Sequence, residues 1–157
     1  MSRLRLSVSS VLVLTALVLS ASGSAAIVPQ RSIAGIKLGM SEAKVKAQLG
    51  APLRVRSGSN LFGHWRQLFY PRVTVSFQSG NTATSLSTRS ALEKTASGVG
   101  VGSTLAQVRA GLQGEQCKRE FGLHHCWLGR WEPGRAVTDF RFKNSRVTQV
   151  ALAYVLD

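Results

Sequence analysis

The sequence predicts an α+β fold: two tandem repeats, each a helix followed by an antiparallel meander, forming one sheet with helices on one face and an open face opposite. Three observations lead there. GIKLGMSEAKVKAQLG at residues 35–50 aligns without gaps on GVGVGSTLAQVRAGLQ at residues 98–113, a shift of 63. Each copy is followed by segments that alternate apolar and polar side chains, the period of a half-buried strand. Turn-forming pairs sit between those segments, as hairpins require.

Taken in chain order, residues 1–26 read as a secretory leader. Arg3 and Arg5 precede an apolar run from Val11 to Leu19, broken by Thr15, and SASGSAA offers small residues for cleavage near Ala25 or Ala26. The run is shorter than the roughly 20 apolar residues a spanning helix takes, and no cysteine follows it for lipid attachment. The expected mature chain, residues 27–157, is a single domain of two repeats, about 31–90 and 94–157. It has enough chain for a core of its own. It is expected outside the cell or in its envelope, not as a lipoprotein and with no transmembrane segment after cleavage.

The repeated stretch decides a question posed by SGVGVGSTLAQV at residues 97–108, whose three alternate glycines could cradle a phosphate. The middle glycine does not recur, because Lys37 stands where Gly100 does. A dinucleotide loop needs that close-approach glycine and a strand before it. What recurs is a helix entrance. Ser41 and Thr104 are placed as N-caps, and Gln107 three residues after Thr104 completes a capping box. Val45 and Leu49, then Leu105, Val108 and Leu112, fall on one helical stripe, with Gly50 and Gly114 as stops. Helices of about eight residues are marginal alone and must pack on something.

Strands supply that support. They are expected near Leu53 to Arg56, Leu61 to Tyr70, Arg72 to Gln78 and Thr82 to Thr88 in the first copy. In the second they fall near Gln116 to Phe121, His124 to Trp131, Ala136 to Lys143 and Arg146 to Val155. The alternation is clearest in Val73, Val75 and Phe77 and in Thr138, Phe140 and Phe142. It puts Thr74, Ser76, Asp139 and Arg141 on an exposed side. Ser79-Gly80-Asn81, Phe121-Gly122-Leu123, Pro133-Gly134 and Asn144-Ser145 supply the turns. Cys117 and Cys126, an even count in an exported chain, read as one disulfide. A metal site at Cys117, His124, His125 and Cys126 is disfavoured, since three ligands would be consecutive and neighbours on a strand point to opposite faces.

Charge bounds the partners. The chain carries a net +13, or +11 without the leader's two arginines. Ile27 to Ser90 holds nine Lys or Arg and one acid, Glu42, whereas Ala91 to Asp157 holds nine and six. Contact with polyanions is therefore expected through the first repeat. Seven scattered acids offer no paired-carboxylate motif, and His64, His124, His125 and Asp139 are tied to no nucleophile motif. No enzyme activity, cofactor or metal is expected.

The candidate binding surface is the open sheet face. Trp127 and Trp131, four apart, share a face with His125, and Trp65 shares one with Phe69. Large amphipathic rings are favoured interface anchors, although the same rings are equally suited to a core. Arg66, Arg130, Arg135 and Arg141, with Asp139, complete the candidate platform and its rim. The function expected is a secreted, non-enzymatic protein-binding module whose partner is another secreted or envelope protein. The alternative is a cationic binder of anionic envelope polymers, lipids or extracellular nucleic acid.

The string G-I-K-L-G-M-S-x-x-x-V-x-x-x-L-G-x-P at residues 35–52 resembles the β-lactamase inhibitory protein and the outer-membrane assembly lipoprotein BamE, which share a small α/β module. The two-copy layout is more similar to the inhibitor, and the cysteine pair after the second helix suits that pattern. Arg54 and Gly63 stand roughly where Cys117 and Cys126 fall in the other copy, so one disulfide is possible rather than two. The resemblance implies a non-enzymatic, inhibitor-like binding module and does not name its partner.

Overall fold

The computed structural model describes residues 26–156. The expected leader lies outside the described residues but for Ala26. No helix among the described residues is long and apolar enough to cross a membrane.

Over the described residues the fold is α+β, with two helices, an eight-stranded antiparallel sheet and a small three-stranded sheet. The small sheet comprises β1 (Ile27–Val28), β2 (Ser32–Ile33) and β3 (Ile36–Lys37). It departs from the single sheet expected, because two-residue strands are too short to leave an alternating pattern. Its Ile27, Ile33 and Ile36 are fully buried.

Helix α1 (Glu42–Leu49) starts at Ser41, whose hydroxyl accepts from the Lys44 N–H at 3.3 Å, and closes at Gly50. Helix α2 (Leu105–Gly111) starts at Thr104 with the full capping box to Gln107. Both entrances need a glycine: Gly39 and Gly102 have φ of +77° and +92°, conformations L side chains rarely adopt. The freed amides are used alike. Gly39 N–H donates to Ala83 O at 2.7 Å, and Gly102 N–H donates to Val147 O at 2.7 Å.

After α1 run β4 (Arg54–Asn60), β5 (Gly63–Phe69), β6 (Thr74–Gln78) and β7 (Ala83–Thr88). After α2 run β8 (Gln116–Glu120), β9 (Leu123–Leu128), β10 (Ala136–Lys143) and β11 (Arg146–Tyr154). The order across the sheet is β4-β5-β6-β7-β11-β10-β9-β8. Two meanders thus meet at β7 and β11, where Leu86 faces Leu152 and Thr88 faces Val150. β4 and β8 form the edges.

Cross-strand register sorts the side chains. Leu68, Val75, Leu86, Leu152, Thr138 and Leu128 lie in one row, and Thr88, Val150, Phe140, Cys126 and Cys117 continue the same face. The main apolar cluster takes its sheet residues from this face and joins them to Val45 of α1, to Val108 of α2 with Leu112 at its cap, and to the isoleucines of the small sheet. Burying a large aliphatic side chain is worth about 1.5–3 kcal/mol, which is how helices this short are held. Cys117 and Cys126 stand directly opposite each other on β8 and β9 and form a disulfide.

Candidate functional site

The other face of the sheet carries the candidate site. A row across all eight strands reads Arg54, Phe69, Thr74, Ser87, Ala151, Asp139, Trp127 and Gln116. The next reads Arg56, Gln67, Ser76, Ser85, Ala153 and Val137. Small side chains on β6, β7 and β11 therefore make a floor between two banks. Trp65 and Phe69 stand on the β5 bank, and His125, Trp127, Asp139 and Arg141 stand on the β9–β10 bank. A shallow depression of about 500 Å³ opens at one end of this floor, lined by Trp65, Ser76, Ser85, Ala153, Tyr154 and Leu156 among others.

The β9–β10 bank is ordered by charge. His125 is opposite Arg141, and its Nδ1 reaches diagonally to Asp139 Oδ1 at 2.9 Å. A carboxylate only accepts, so Nδ1 carries the proton of that bond. Asp139 Oδ2 accepts from Arg141 Nε at 2.8 Å. His125 and Asp139 are both buried, at 6% and 4% exposure. Nε2 of His125 makes no close hydrogen bond among the described residues; it faces Glu120 Oε1 at 3.5 Å, longer than an ordinary hydrogen bond. Glu120 is held instead by Lys118 at 2.6 Å. The hydrogen bond from that ammonium is the largest cause lowering the Glu120 carboxyl below its ordinary pKa. The arrangement fixes the imidazole against the Trp127 ring, 4.9 Å between centroids. The Trp127 ring in turn meets the edge of Trp131 at 6.2 Å.

Three placements differ from the sequence expectation. Asp139 is buried rather than exposed, because His125 and Arg141 together satisfy its carboxylate. Trp131 is not on β9: the strand ends at Leu128, and Gly129 at φ +106° turns the chain away. Its ring returns to Trp127 from the following loop and stays half exposed, at 52%. Arg66 lies on the helix side of the sheet, where it pairs with Glu42 of α1 and with Asn81 Oδ1. Alternation alone could have found this, since Arg66 follows Trp65 on one strand. Trp65, His125, Trp127 and Arg141 share the helix-free face.

Trp127 and Val137 are buried yet stand apart from the main apolar cluster. They belong to a second, smaller apolar patch on the opposite face. On the β5 bank, the Arg54 and Arg56 guanidinium groups lie 4.2 Å and 5.9 Å from the Phe69 ring centroid. Among the described residues neither arginine has a carboxylate within ion-pair distance. No group of three His, Cys, Asp or Glu side chains among the described residues is arranged to hold a metal ion. Both cysteines are in the disulfide.

No family model matches the chain, and no curated protein matches it. A solved structure to which the chain is similar is that of an extracellular protein containing a SCP domain from Bacillus anthracis str. Ames. The TM-score is 0.49 and the identity 10%, over 74% of this chain and 44% of that one. The chain thus spans less than half the length of that protein, and a likeness at this level assigns neither family nor activity. The resemblance to the β-lactamase inhibitory protein and BamE is corrected by these findings: no family model and no curated protein of either kind matches the chain. The physical reason lies in the motif. A positive-φ glycine, a hydroxyl N-cap and two apolar residues are what any short helix entered from a tight turn requires.

Proposed function

We propose that this chain is an exported, non-enzymatic binding module that takes a partner protein on the helix-free face of its large sheet. The observation carrying the reading is the division of apolar side chains. The main core uses one face, while Trp127, Trp131, Trp65 and Phe69 stand on the other around a floor of small residues. Trp131 is exposed and Trp65 and Phe69 are partly exposed, with Trp127 buried beneath Trp131; partly exposed rings held in this way suit interface anchors, because little side-chain freedom is lost on binding. The disulfide fits an oxidising compartment outside the cytoplasm.

The platform is read as the product of two tandem helix-plus-meander repeats. Supporting this are the matched amide bonds of Gly39 and Gly102 to Ala83 and Val147, each at the start of the fourth strand of its meander, and the mirrored strand order. Two such units joined edge to edge give a sheet wide enough to leave one face clear of helices while both helices pack on the other.

The test is affinity capture of exported or envelope proteins on the mature chain, run in parallel with the Trp131→Ala variant and across a salt series. A saturable protein partner retained at moderate salt and lost with Trp131→Ala supports the reading. Binding that vanishes at moderate salt and ignores Trp131 overturns it in favour of adhesion to anionic polymers, lipid or nucleic acid through the net positive charge.

A further inference from the structure

The two edges of the large sheet are protected differently. β8 is five residues long, is cross-linked to β9 by the disulfide, and carries the Lys118–Glu120 ion pair. β4 is seven residues long and exposed at every position but Gly58, which is half buried. Nothing among the described residues pairs with its outer side. Such an edge presents a row of free N–H and C=O groups, a template for one more strand. Proline, bulges, inward-pointing charges and charged side chains along the strand usually block these templates, and of these β4 carries the last, Arg54 and Arg56, which disfavour a basic strand and admit an acidic one. β4 contains no proline, and its ladder with β5 runs from Arg54–Phe69 to Asn60–Gly63 without a break.

We propose that the outer edge of β4 accepts an extended, acidic segment of a partner protein as a ninth strand. Charge complementarity selects the occupant. Arg54 and Arg56 project from alternate positions on the same face and have no carboxylate partner among the described residues, while Glu42, the sole acid between Ile27 and Ser90, is already engaged by Lys46 and Arg66. Residues directly opposite on neighbouring strands stand about 4.5–5.5 Å apart at Cβ, close enough for each arginine to meet an acid. Two positions further on, Gly58 has no side chain, and the Trp65 ring fills the space its Cβ would take. The residue opposite Gly58 meets an aromatic surface and is expected to be apolar. On the other face Val55, half exposed at 49%, asks for an apolar neighbour. An antiparallel segment in this register therefore reads apolar, any, acidic, apolar, acidic. A second copy of the chain is a poor occupant. Two β4 strands paired antiparallel about Ser57 put their Arg56 side chains on a diagonal of about 7–8 Å, with no acid between them.

This site goes beyond the platform on the sheet face and does not depend on it. The probe is a capped peptide, Thr-Leu-Thr-Glu-Val-Glu-Ser, titrated into the mature chain while amide hydrogen exchange is followed. Slowed exchange confined to β4 is expected, with binding about tenfold weaker for Arg54→Glu/Arg56→Glu and restored to that variant by the peptide carrying Arg in place of Glu. Methylating the peptide nitrogens that face β4 should abolish binding, whereas Trp131→Ala should leave it unchanged. Absence of binding overturns the proposal. So does binding that survives N-methylation, that leaves β4 exchange unaltered, or that a self-associated dimer through β4 accounts for. Loss in Trp131→Ala alone would assign the peptide to the sheet face and overturn the edge site without touching the platform.

Discussion

His125 Nδ1 lies 2.9 Å from Asp139 Oδ1, and both side chains are sealed from solvent on the sheet face opposite the helices. The pair spans β9 and β10 diagonally, with Arg141 closing the far side of the carboxylate at 2.8 Å. Removing the carboxylate strands a buried imidazole and one arginine. Asp139→Ala is expected to lower unfolding stability by about 3 kcal/mol, and Asp139→Asn by less, since an amide oxygen can still accept from Nδ1. Urea denaturation of the two variants measures this, and equal costs would show that the hydrogen bond is not the stabilising contact.

Trp127 and Trp131 separate stability from binding. Trp127 is 9% exposed and wedged between His125 and Trp131, so Trp127→Ala should cost about 3 kcal/mol of stability. Trp131 is half exposed, and Trp131→Ala should cost under about 1 kcal/mol of stability. Its loss should weaken partner binding by about 2 kcal/mol if the ring is an anchor. Thermal unfolding of both variants, set beside affinities for the captured partner, tests the distinction. Normal affinity in Trp131→Ala would move the anchor elsewhere.

The disulfide closes a short loop on an edge strand. Replacing both cysteines by serine removes that constraint from the unfolded chain and should cost roughly 2.5–3 kcal/mol. Because β8 has only β9 as a neighbour, amide exchange should accelerate first at Gln116–Glu120, while β6 and β7 in the middle of the sheet stay protected. Uniform acceleration across the sheet would mean that the bond supports the whole fold rather than its edge.

His124 makes stability pH-dependent. Burial, then the positive charges of Arg119, Arg109 and His125, lowers its pKa from 6.5. The ring stacks on Phe142 at 4.8 Å and stands opposite Arg119. A lowered base binds its proton more tightly in the unfolded chain, so its contribution is complete above pH 6.5 and declines as pH falls below that value. The urea midpoint should therefore drop between neutral and mildly acidic pH, and His124→Gln should flatten that slope. Glu120, whose pKa is also lowered, acts further down the scale: its contribution is present above the ordinary carboxylate range and lost as pH falls through its lowered pKa.

What the sequence made legible were features carried by local rules. Ser41 and Thr104 cap helices because a hydroxyl before an apolar stripe has few other uses. Thr138, Phe140 and Phe142 share a face because alternation is a property of any strand. Alternation places Asp139 on the helix-free face but does not predict its burial, which depends on His125, fourteen residues away on β9, as well as on nearby Arg141. The strands holding Ile27, Ile33 and Ile36 are not legible in the sequence, because elements of two residues have no period to detect. Counting from Trp127 puts Trp131 on the strand, and the residue that spoils the count is Gly129.

Gly129 tests how the candidate platform is assembled. Its φ of +106° is strained for any L side chain, and a Cβ there would sit 2.6 Å from the Ala136 carbonyl oxygen and 3.0 Å from Gln30 Nε2. The carbonyl is backbone of β10 and cannot swing aside. Gly129→Ala should therefore force the 129–135 loop away from β10, costing about 2 kcal/mol. Gly134, in the same loop at φ +73° with nothing within 4 Å of its Cβ position, isolates the backbone term, and Gly134→Ala should cost about 1 kcal/mol. The near-ultraviolet circular dichroism of the Trp127–Trp131 edge pair reports the loop directly. It should weaken in Gly129→Ala and persist in Gly134→Ala, and partner binding should follow the same order. Equal costs and an unchanged tryptophan signal in both variants would mean that Trp131 reaches Trp127 without help from the close packing at Gly129.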